Sequence, residues 1–310
     1  MPLPACLGRL RAALVALAVA VVVAVVPGAA QASASPGTPA QQPEDRGSAE
    51  ELHVMTYNLR FASDTPPNSW PERRPVMRSQ LLRAQPDLIG TQEGLFSQLQ
   101  DIEADLPARY DSIGLGRDGG SRGEFMMIFY DTTRLRPLEF DHYWLSDTPD
   151  VIGSQTWEGC CPRMVTWARF LDLQTETEFY AVNTHFEAFS AETRELSALL
   201  LRDRLPDFDP ELPVVVTGDF NEAAGPGGTV FDILVSDGPF VDTWDTAKQR
   251  SELFGTFHGF GTPTPGGSRI DWVLTSPDVS TSSAVINTFE RDGQFPSDHL
   301  PVEATVRLPG

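Results

Sequence analysis

Lysine is almost absent: Lys248 is the only one in 310 residues, and 23 Lys and Arg face 43 Asp and Glu for a formal charge of −20. A field of that sign repels polyanions at long range, which argues against tight sequence-independent binding of nucleic acid, although a local groove or a bound cation can reverse the sign where chemistry happens. Cysteine is scarce too. Of Cys6, Cys160 and Cys161, two are adjacent and one falls in an N-terminal leader, too few for a thiolate zinc site or a disulfide framework. The adjacent pair leaves a vicinal disulfide, an intermolecular bridge and free thiols all open. Only one long apolar run occurs, Ala12 to Val26, and it is too short to span a bilayer.

That run follows Arg9 and Arg11 and precedes Pro27-Gly28 and the small-x-small sequence Ala30-Gln31-Ala32, so residues 1–32 are predicted to be a signal peptide. The arginines are not adjacent, which speaks against a twin-arginine signal, and no cysteine stands at the cleavage point to carry a lipid. Residues 33–49 are Ser, Pro, Gly, Ala and Gln with little apolar content, a composition that predicts a flexible linker. Residues 50–310 carry no second linker and no fixed-period repeat, and are expected to form one domain. The predicted product is secreted, without stable membrane insertion, at a charge of −22 once the two leader arginines are removed. No protein partner is inferred.

Short segments rich in β-branched and aromatic residues alternate with stretches of helical apolar spacing. Strands are predicted at Leu52–Leu59, Leu88–Gln92, Phe125–Tyr130, His142–Leu145, Val165–Leu173, Phe179–His185, Val214–Gly218, Arg269–Thr275, Ser282–Phe289 and Leu300–Val306, with helices at Pro71–Ala84, Ser97–Leu106 and Ala191–Leu205. In the third helix Leu196, Leu199, Leu200 and Leu205 are expected to point inward. So many strands with few helices favour an α/β fold of two sheets packed face to face, with helices on the outer faces.

Reactive side chains collect at the strand ends. Asn58, Glu93, His185 and Asp219-Phe220-Asn221 lie where strands exit, while Asp271 and His299 stand at strand starts. All can share one rim only if those last two strands run opposite to the others, so mixed sheets are predicted. Taken singly, Asn58 and Glu93 read more readily as turn or surface residues and His185 as a core histidine, and Asp271 has an alternative reading as the partner of Arg269. Gly218-Asp219-Phe220-Asn221 after an apolar strand is harder to dismiss, since α/β folds place working groups there. In Asp298-His299, a carboxylate suited to a cation adjoins an imidazole suited to a phosphoryl oxygen.

The ordered set Thr56-Tyr57-Asn58, Gln92-Glu93, Asn183-Thr184-His185, Gly218-Asp219-Phe220-Asn221, Arg269-Ile270-Asp271 and Ser297-Asp298-His299 resembles the endonuclease/exonuclease/phosphatase family, whose fold is that of deoxyribonuclease I. The resemblance implies a four-layer α/β/β/α sandwich of two packed mixed β-sheets and a Mg2+- or Mn2+-dependent phosphoric ester hydrolase. It implies that Asn58, Glu93 and Asp298 hold the metal. Asp219 would activate the attacking water, Asn221 would position it, and His185 and His299, the latter steadied by Asp271, would donate to phosphoryl oxygens. Gly123-Glu124-Phe125 and Gly255 to Phe260 resemble a secreted bacterial branch of the family, making Glu124, Arg163 and His258 candidate substrate contacts. The lack of basic loops ranks a small or non-nucleic phosphoester above long DNA or RNA. An extracellular nuclease, a sphingomyelinase-type phospholipase and, in a different class, a non-catalytic binding module stand as alternatives.

Overall fold

The structure, a computed structural model, describes residues 50–310; the signal peptide predicted at 1–32 and the linker at 33–49 lie outside the described residues. In chain order the strands are β1 (Leu52–Asn58), β2 (Leu88–Gln92), β3 (Gly94–Leu95), β4 (Tyr110–Ile113), β5 (Glu124–Phe125), β6 (Ile128–Asp131), β7 (Leu135–Trp144), β8 (Met164–Asp172), β9 (Glu178–His185), β10 (Val214–Asp219), β11 (Val241–Asp242), β12 (Gln249–Arg250), β13 (Asp271–Thr275), β14 (Ser280–Ile286) and β15 (Val302–Arg307). The helices are α1 (Trp70–Ala84), α2 (Phe96–Asp105), α3 (Ala191–Asp203) and the short α4 (Thr229–Phe231) and α5 (Thr243–Thr246).

One sheet of seven strands runs β12-β14-β15-β1-β2-β6-β4, and a second of six runs β11-β13-β10-β9-β8-β7. Both are mixed in the same way. A central parallel pair, β1 with β2 and β9 with β10, is joined by a helical crossover through α1 or α3. Each pair is flanked by an antiparallel neighbour, β15 beside β1 and β13 beside β10, which is the reversal needed to bring His299 and Asp271 to the common rim.

Three buried clusters make the four layers. Val54, Leu88, Ile128 and Val302 of the first sheet meet Phe170, Phe179, Val215 and Val273 of the second. Met77, Leu81, Leu99 and Ile102 of α1 and α2 cover the outer face of the first sheet against Met55, Tyr57 and Ile89. Ala198 and Leu201 of α3 cover the second against Val182 and Val216. The α3 stripe is therefore Thr193, Ser197, Ala198 and Leu201 rather than the expected leucines, of which Leu200 and Leu205 pack only partly. Three small residues, Thr193, Ser197 and Ala198, thus share the buried side with a single leucine, Leu201. Helix α1 starts where Glu72 reaches back to accept from the Ser69 amide at 3.0 Å, and α3 where Ser190 Oγ accepts from the Thr193 amide at 3.2 Å.

Most expected elements differ from the observed ones by a residue or two at their ends. The segment Phe125–Tyr130 is divided between β5 and β6, and His142–Leu145 is the end of the ten-residue β7, whose exposed Glu139 and Phe140 mask its pattern as an edge strand. Strand β4 has only Ile113 fully buried and carries too little alternation to be seen in the sequence.

Along the inner faces the side chains change character in step. Val54, Thr56 and Asn58 share one face of β1, and Leu88, Gly90 and Gln92 share one of β2. Ala181, Asn183 and His185 do so on β9, and Val215, Thr217 and Asp219 on β10. On β1, β9 and β10 the series runs from apolar core through a polar middle to a site residue, while on β2 it passes Gly90 and ends in Gln92. The middle level is a cross-sheet polar floor. Gln92 Nε2 donates to Asn183 Oδ1 at 2.8 Å and Thr56 Oγ1 at 3.1 Å, and Thr217 Oγ1 donates to Asn183 Oδ1 at 3.2 Å. Asn183 Nδ2 in turn donates to the Thr91 and Met127 carbonyls at 2.8 and 3.0 Å. All four side chains are buried, so the floor fixes the spacing of the sheets beneath the rim.

Candidate active site

Two strand exits, one in each sheet, build the same turn. Asn58 Oδ1 accepts from the Arg60 amide at 3.0 Å, and Asp219 Oδ1 accepts from the Asn221 amide at 3.0 Å. In both turns the third residue takes a left-handed backbone, φ 52° at Arg60 and 51° at Asn221. Glu93, which follows β2, has φ 63°. Left-handed conformations at residues other than glycine are uncommon and cluster where structure over-determines a functional position. Here three of them bound one site.

Asp219 lies at its centre. Its Oδ2 accepts from Asn58 Nδ2 at 2.9 Å and stands 3.5 Å from His185 Nε2 and 3.8 Å from His299 Nε2. Asn58 Nδ2 also donates to Glu93 Oε1 at 3.0 Å, so the amide of one sheet bridges two acids. On the far side, the register pairs Asp219 with Asp271 and with His185 on neighbouring strands. Asp271 Oδ2 accepts from His299 Nδ1 at 3.0 Å, and Arg269 is instead engaged by Asp242 at 2.6 Å, so the Asp271–Arg269 pairing does not occur. Ser297 Oγ donates to the Asn58 carbonyl at 2.7 Å and accepts from the His299 amide at 3.2 Å, pinning the Asp298-His299 turn to the end of β1.

Electrostatics separate the titrating groups. Burial, then repulsion by Asp271, raises Asp219 to about 7, with His299 and the hydrogen bonds from Asn58 and the Asn221 amide opposing. For His299, burial is the largest influence and disfavours the charged ring, but the charge and hydrogen bond of Asp271, with Asp219 and Asp298, outweigh it and lift the imidazole to about 10. His185 goes the other way: burial, followed by Arg163, His299 and Arg117, holds it well below the ordinary imidazole range. Asn221 Nδ2 donates to the Phe186 carbonyl at 3.0 Å, which fixes the amide and makes His185 Nε2, also at 3.0 Å, an acceptor. The neutral ring then carries its proton on Nδ1.

Asn58, Glu93, His185, Asp219, Asn221, Asp271, Asp298 and His299 thus come together, and each of the three candidate substrate contacts has a partner of its own. Glu124 binds Arg117 at 2.5 Å and sits opposite Leu95 in the small β3–β5 sheet. Burial first, and then proximity to Glu93 among other charges, raises its carboxyl. Arg163 is buried against Glu187 at 3.3 Å, with Nη2 3.5 Å from Cys160 Sγ. Both Cys160 and Cys161 are free thiols. Their sulfurs and Glu187 could gather a soft metal by distance alone, but Glu187 already carries the charge of Arg163, so the cluster is a clasp. His258 has its Nδ1 on the Gly261 carbonyl at 2.9 Å and its ring 4.5 Å from that of Phe295. The neighbouring Phe257, 56% exposed, lies 5.1 Å from the His299 ring.

Two residues of the site escape a reading of the sequence. Arg60 Nη1 lies 3.9 Å from Glu93 Oε2 and its Nε 3.7 Å from Asp298 Oδ2. Arg73 of α1 is fully buried and, among the described residues, makes no ion pair with an acid. Its guanidinium donates to the carbonyls of Asn68, Leu59, Pro296, Arg60 and Phe61 at 2.7 to 3.2 Å, tying the β1 exit to the turn that carries Asp298.

The model of the Endonuclease/Exonuclease/phosphatase family matches residues 55–299, and the chain belongs to that family of phosphoesterases. A family protein from Bacteroides thetaiotaomicron is 33% identical, covering 83% of this chain and 97% of that one at a TM-score of 0.77. A mannosyl-6-phosphatase of the same organism is 34% identical over 84% of this chain and 100% of its own, at a TM-score of 0.76. Uncharacterized protein L388 of Acanthamoeba polyphaga mimivirus is 28% identical over 159 residues, 49% of this chain and 59% of that protein. The chain spans about half the length of the curated relatives it matches.

Proposed function

We propose that this chain is a secreted, Mg2+- or Mn2+-dependent phosphatase acting on a small polar phosphomonoester such as a sugar phosphate. The observation that carries the reading is the unbroken series of contacts from Glu93 through Asn58 and Asp219 to His299 and Asp271, which joins both sheets at one rim. Similarity to the mannosyl-6-phosphatase along nearly the whole domain favours a monoester, and the strongly acidic charge disfavours a long polyanion. The leader sequence supports secretion.

The residues suit a small hard cation. Glu93 and Asp298 offer carboxylate oxygens with side chains only 15% and 9% exposed, and among the described residues the cation between them is Arg60, beyond hydrogen-bonding distance of either. Asn58, Glu93 and Asp298 would hold the ion, which when bound supplies charge neutralisation at the phosphoryl oxygens. Asp219, balanced near neutrality, takes a proton from water held beside it, and Asn221 orients that water from its left-handed turn. His299, kept cationic by Asp271, donates from Nε2 to a phosphoryl oxygen as its charge grows. His185 packs against Asn221 and holds it in place. The product is the free alcohol and inorganic phosphate.

Release of phosphate from hexose phosphates, nucleotides and a bis-aryl phosphodiester, with Mg2+, Mn2+ or chelator, tests the proposal. Metal-dependent turnover of the hexose phosphates, lost in Glu93→Gln, is expected. Turnover that survives exhaustive chelation, or a clear preference for the diester or for plasmid DNA, would overturn it.

A further inference from the structure

Arg60 combines a fixed main chain with a loosely held side chain. Its amide donates to Asn58 Oδ1 at 3.0 Å, and its carbonyl accepts from Arg73 Nη2 and Gln98 Nε2, both at 3.0 Å. The backbone is thereby locked at φ 52°. The guanidinium, by contrast, rests over the Phe61 ring at 4.1 Å with 38% of the side chain exposed. Neither carboxylate contact, 3.9 Å to Glu93 or 3.7 Å to Asp298, is a hydrogen bond. A planar fork of donors therefore stands between the two acids assigned to the ion, held mainly by charge, on a base that permits a pivot about the side-chain torsions.

We propose that Arg60 is a substrate-binding residue that alternates between the Glu93–Asp298 pair and the phosphoryl group, so that the divalent ion and phosphate load cooperatively. The inference rests on the functional reading above. An ion entering between Glu93 and Asp298 replaces the guanidinium as their counter-charge. The released fork then meets the phosphoryl oxygens, for which bidentate arginine geometry is suited. Either ligand alone must displace Arg60 from the acids, and the second finds this already done. Apparent affinity of the first is lowered by the fraction of molecules with Arg60 withdrawn, and that same factor reappears as positive coupling. Linkage makes the coupling reciprocal.

Binding, rather than turnover, tests this. Mn2+ is titrated against the intact protein with free Mn2+ followed by electron paramagnetic resonance, with and without saturating inorganic phosphate. In the wild type, phosphate tightens Mn2+ binding. Arg60→Gln is expected to bind Mn2+ roughly threefold to tenfold more tightly without phosphate, the range for a partly exposed charge facing two acids. The tightening by phosphate should fall by the same factor. Arg60→Gly, which accepts a left-handed backbone without strain, should behave alike, and Arg60→Lys should keep part of the coupling. A fixed spectator charge predicts otherwise: Mn2+ affinity rises while the phosphate effect is unchanged, and that result overturns the proposal. Unaltered Mn2+ affinity in both neutral variants overturns it as well. If the wild type binds no Mn2+, or Glu93→Gln binds it equally well, the metal-dependent reading itself fails and the role of Arg60 falls with it.

Discussion

At Gly90 the first sheet comes close against Thr217 and Asn183 of the second beneath the site, and replacing it with alanine measures how much that contact matters. A Cβ built at Gly90 meets Thr217 Oγ1 at 1.9 Å, and Thr217 Cβ and Asn183 Oδ1 at 2.7 Å. Comfortable carbon contacts lie near ~3.5–4.0 Å, so the strands must separate or Thr217 must leave its rotamer. Overpacking of this kind costs about 1–3 kcal/mol. Moving Thr217 Oγ1 also breaks the donor bond its one hydroxyl hydrogen makes or shares with the Val182 carbonyl and Asn183 Oδ1, both 3.2 Å away, at about 1 kcal/mol. A loss of roughly 2–4 kcal/mol is expected in urea unfolding with the slope unchanged. His185 and Asp219 lie two residues beyond Asn183 and Thr217, so turnover of the folded fraction should fall too. Thr217→Gly removes two of the three close atoms, leaving Asn183 Oδ1, and the double variant should recover at least ~1–2 kcal/mol relative to the sum of the single effects. Full additivity, or a Gly90→Ala protein within about 0.5 kcal/mol of wild type, would refute the close-approach argument.

Asp219→Asn should abolish turnover yet raise the melting temperature in chelator at pH 8. The carboxyl sits above its unfolded value, so the folded state loses stability as pH climbs from about 4 through about 7, a burden the amide avoids; scanning calorimetry at pH 5 and 8 decides. For His299 the sign is opposite. Its folded value near 10 lies above the unfolded one, so its stabilisation is complete below about pH 6.5 and is lost as pH rises toward 10; Asp271→Asn should flatten that alkaline decline in denaturation curves. His299→Ala should lower kcat by about 10²–10⁴-fold with near-native circular dichroism, and wild-type rates in that variant would remove the histidine from the mechanism. Arg73→Met leaves carbonyls of both site turns without a donor and should cost about 3–5 kcal/mol in unfolding free energy, with Lys rescuing little because it lacks the fork.

What was legible in the sequence follows from where its information is local. Asp219 and Asn221 stand at the end of a strand, and an apolar run that stops in carboxylate and amide announces an exit with chemistry. The reversal of β13 and β15 followed from the positions of Asp271 and His299 within their segments. Gly90 within Leu88-Ile89-Gly90-Thr91-Gln92 was passed over in the sequence, although an isolated glycine in a strand is a mark of close backbone approach. Its partner could not be read. Thr217 is far away in the chain, and nothing near it distinguishes a threonine that carries a neighbour's space from one that only favours a strand. Arg73 was hidden for a related reason. In Trp70-Pro71-Glu72-Arg73-Arg74-Pro75 two adjacent arginines look alike, yet Arg74 goes to Asp101 and Asp105 at the surface while Arg73 donates to five carbonyls in the interior. Acceptors that are main-chain carbonyls have no residue type, so no pattern of side chains can advertise them. The same limit applies to Arg60, whose position depends on the left-handed turn closed by Asn58. In this fold the groups proposed to do chemistry were visible because together they form an ordered set at successive strand ends, while the groups that hold them in register were invisible because they act on backbone that every residue shares.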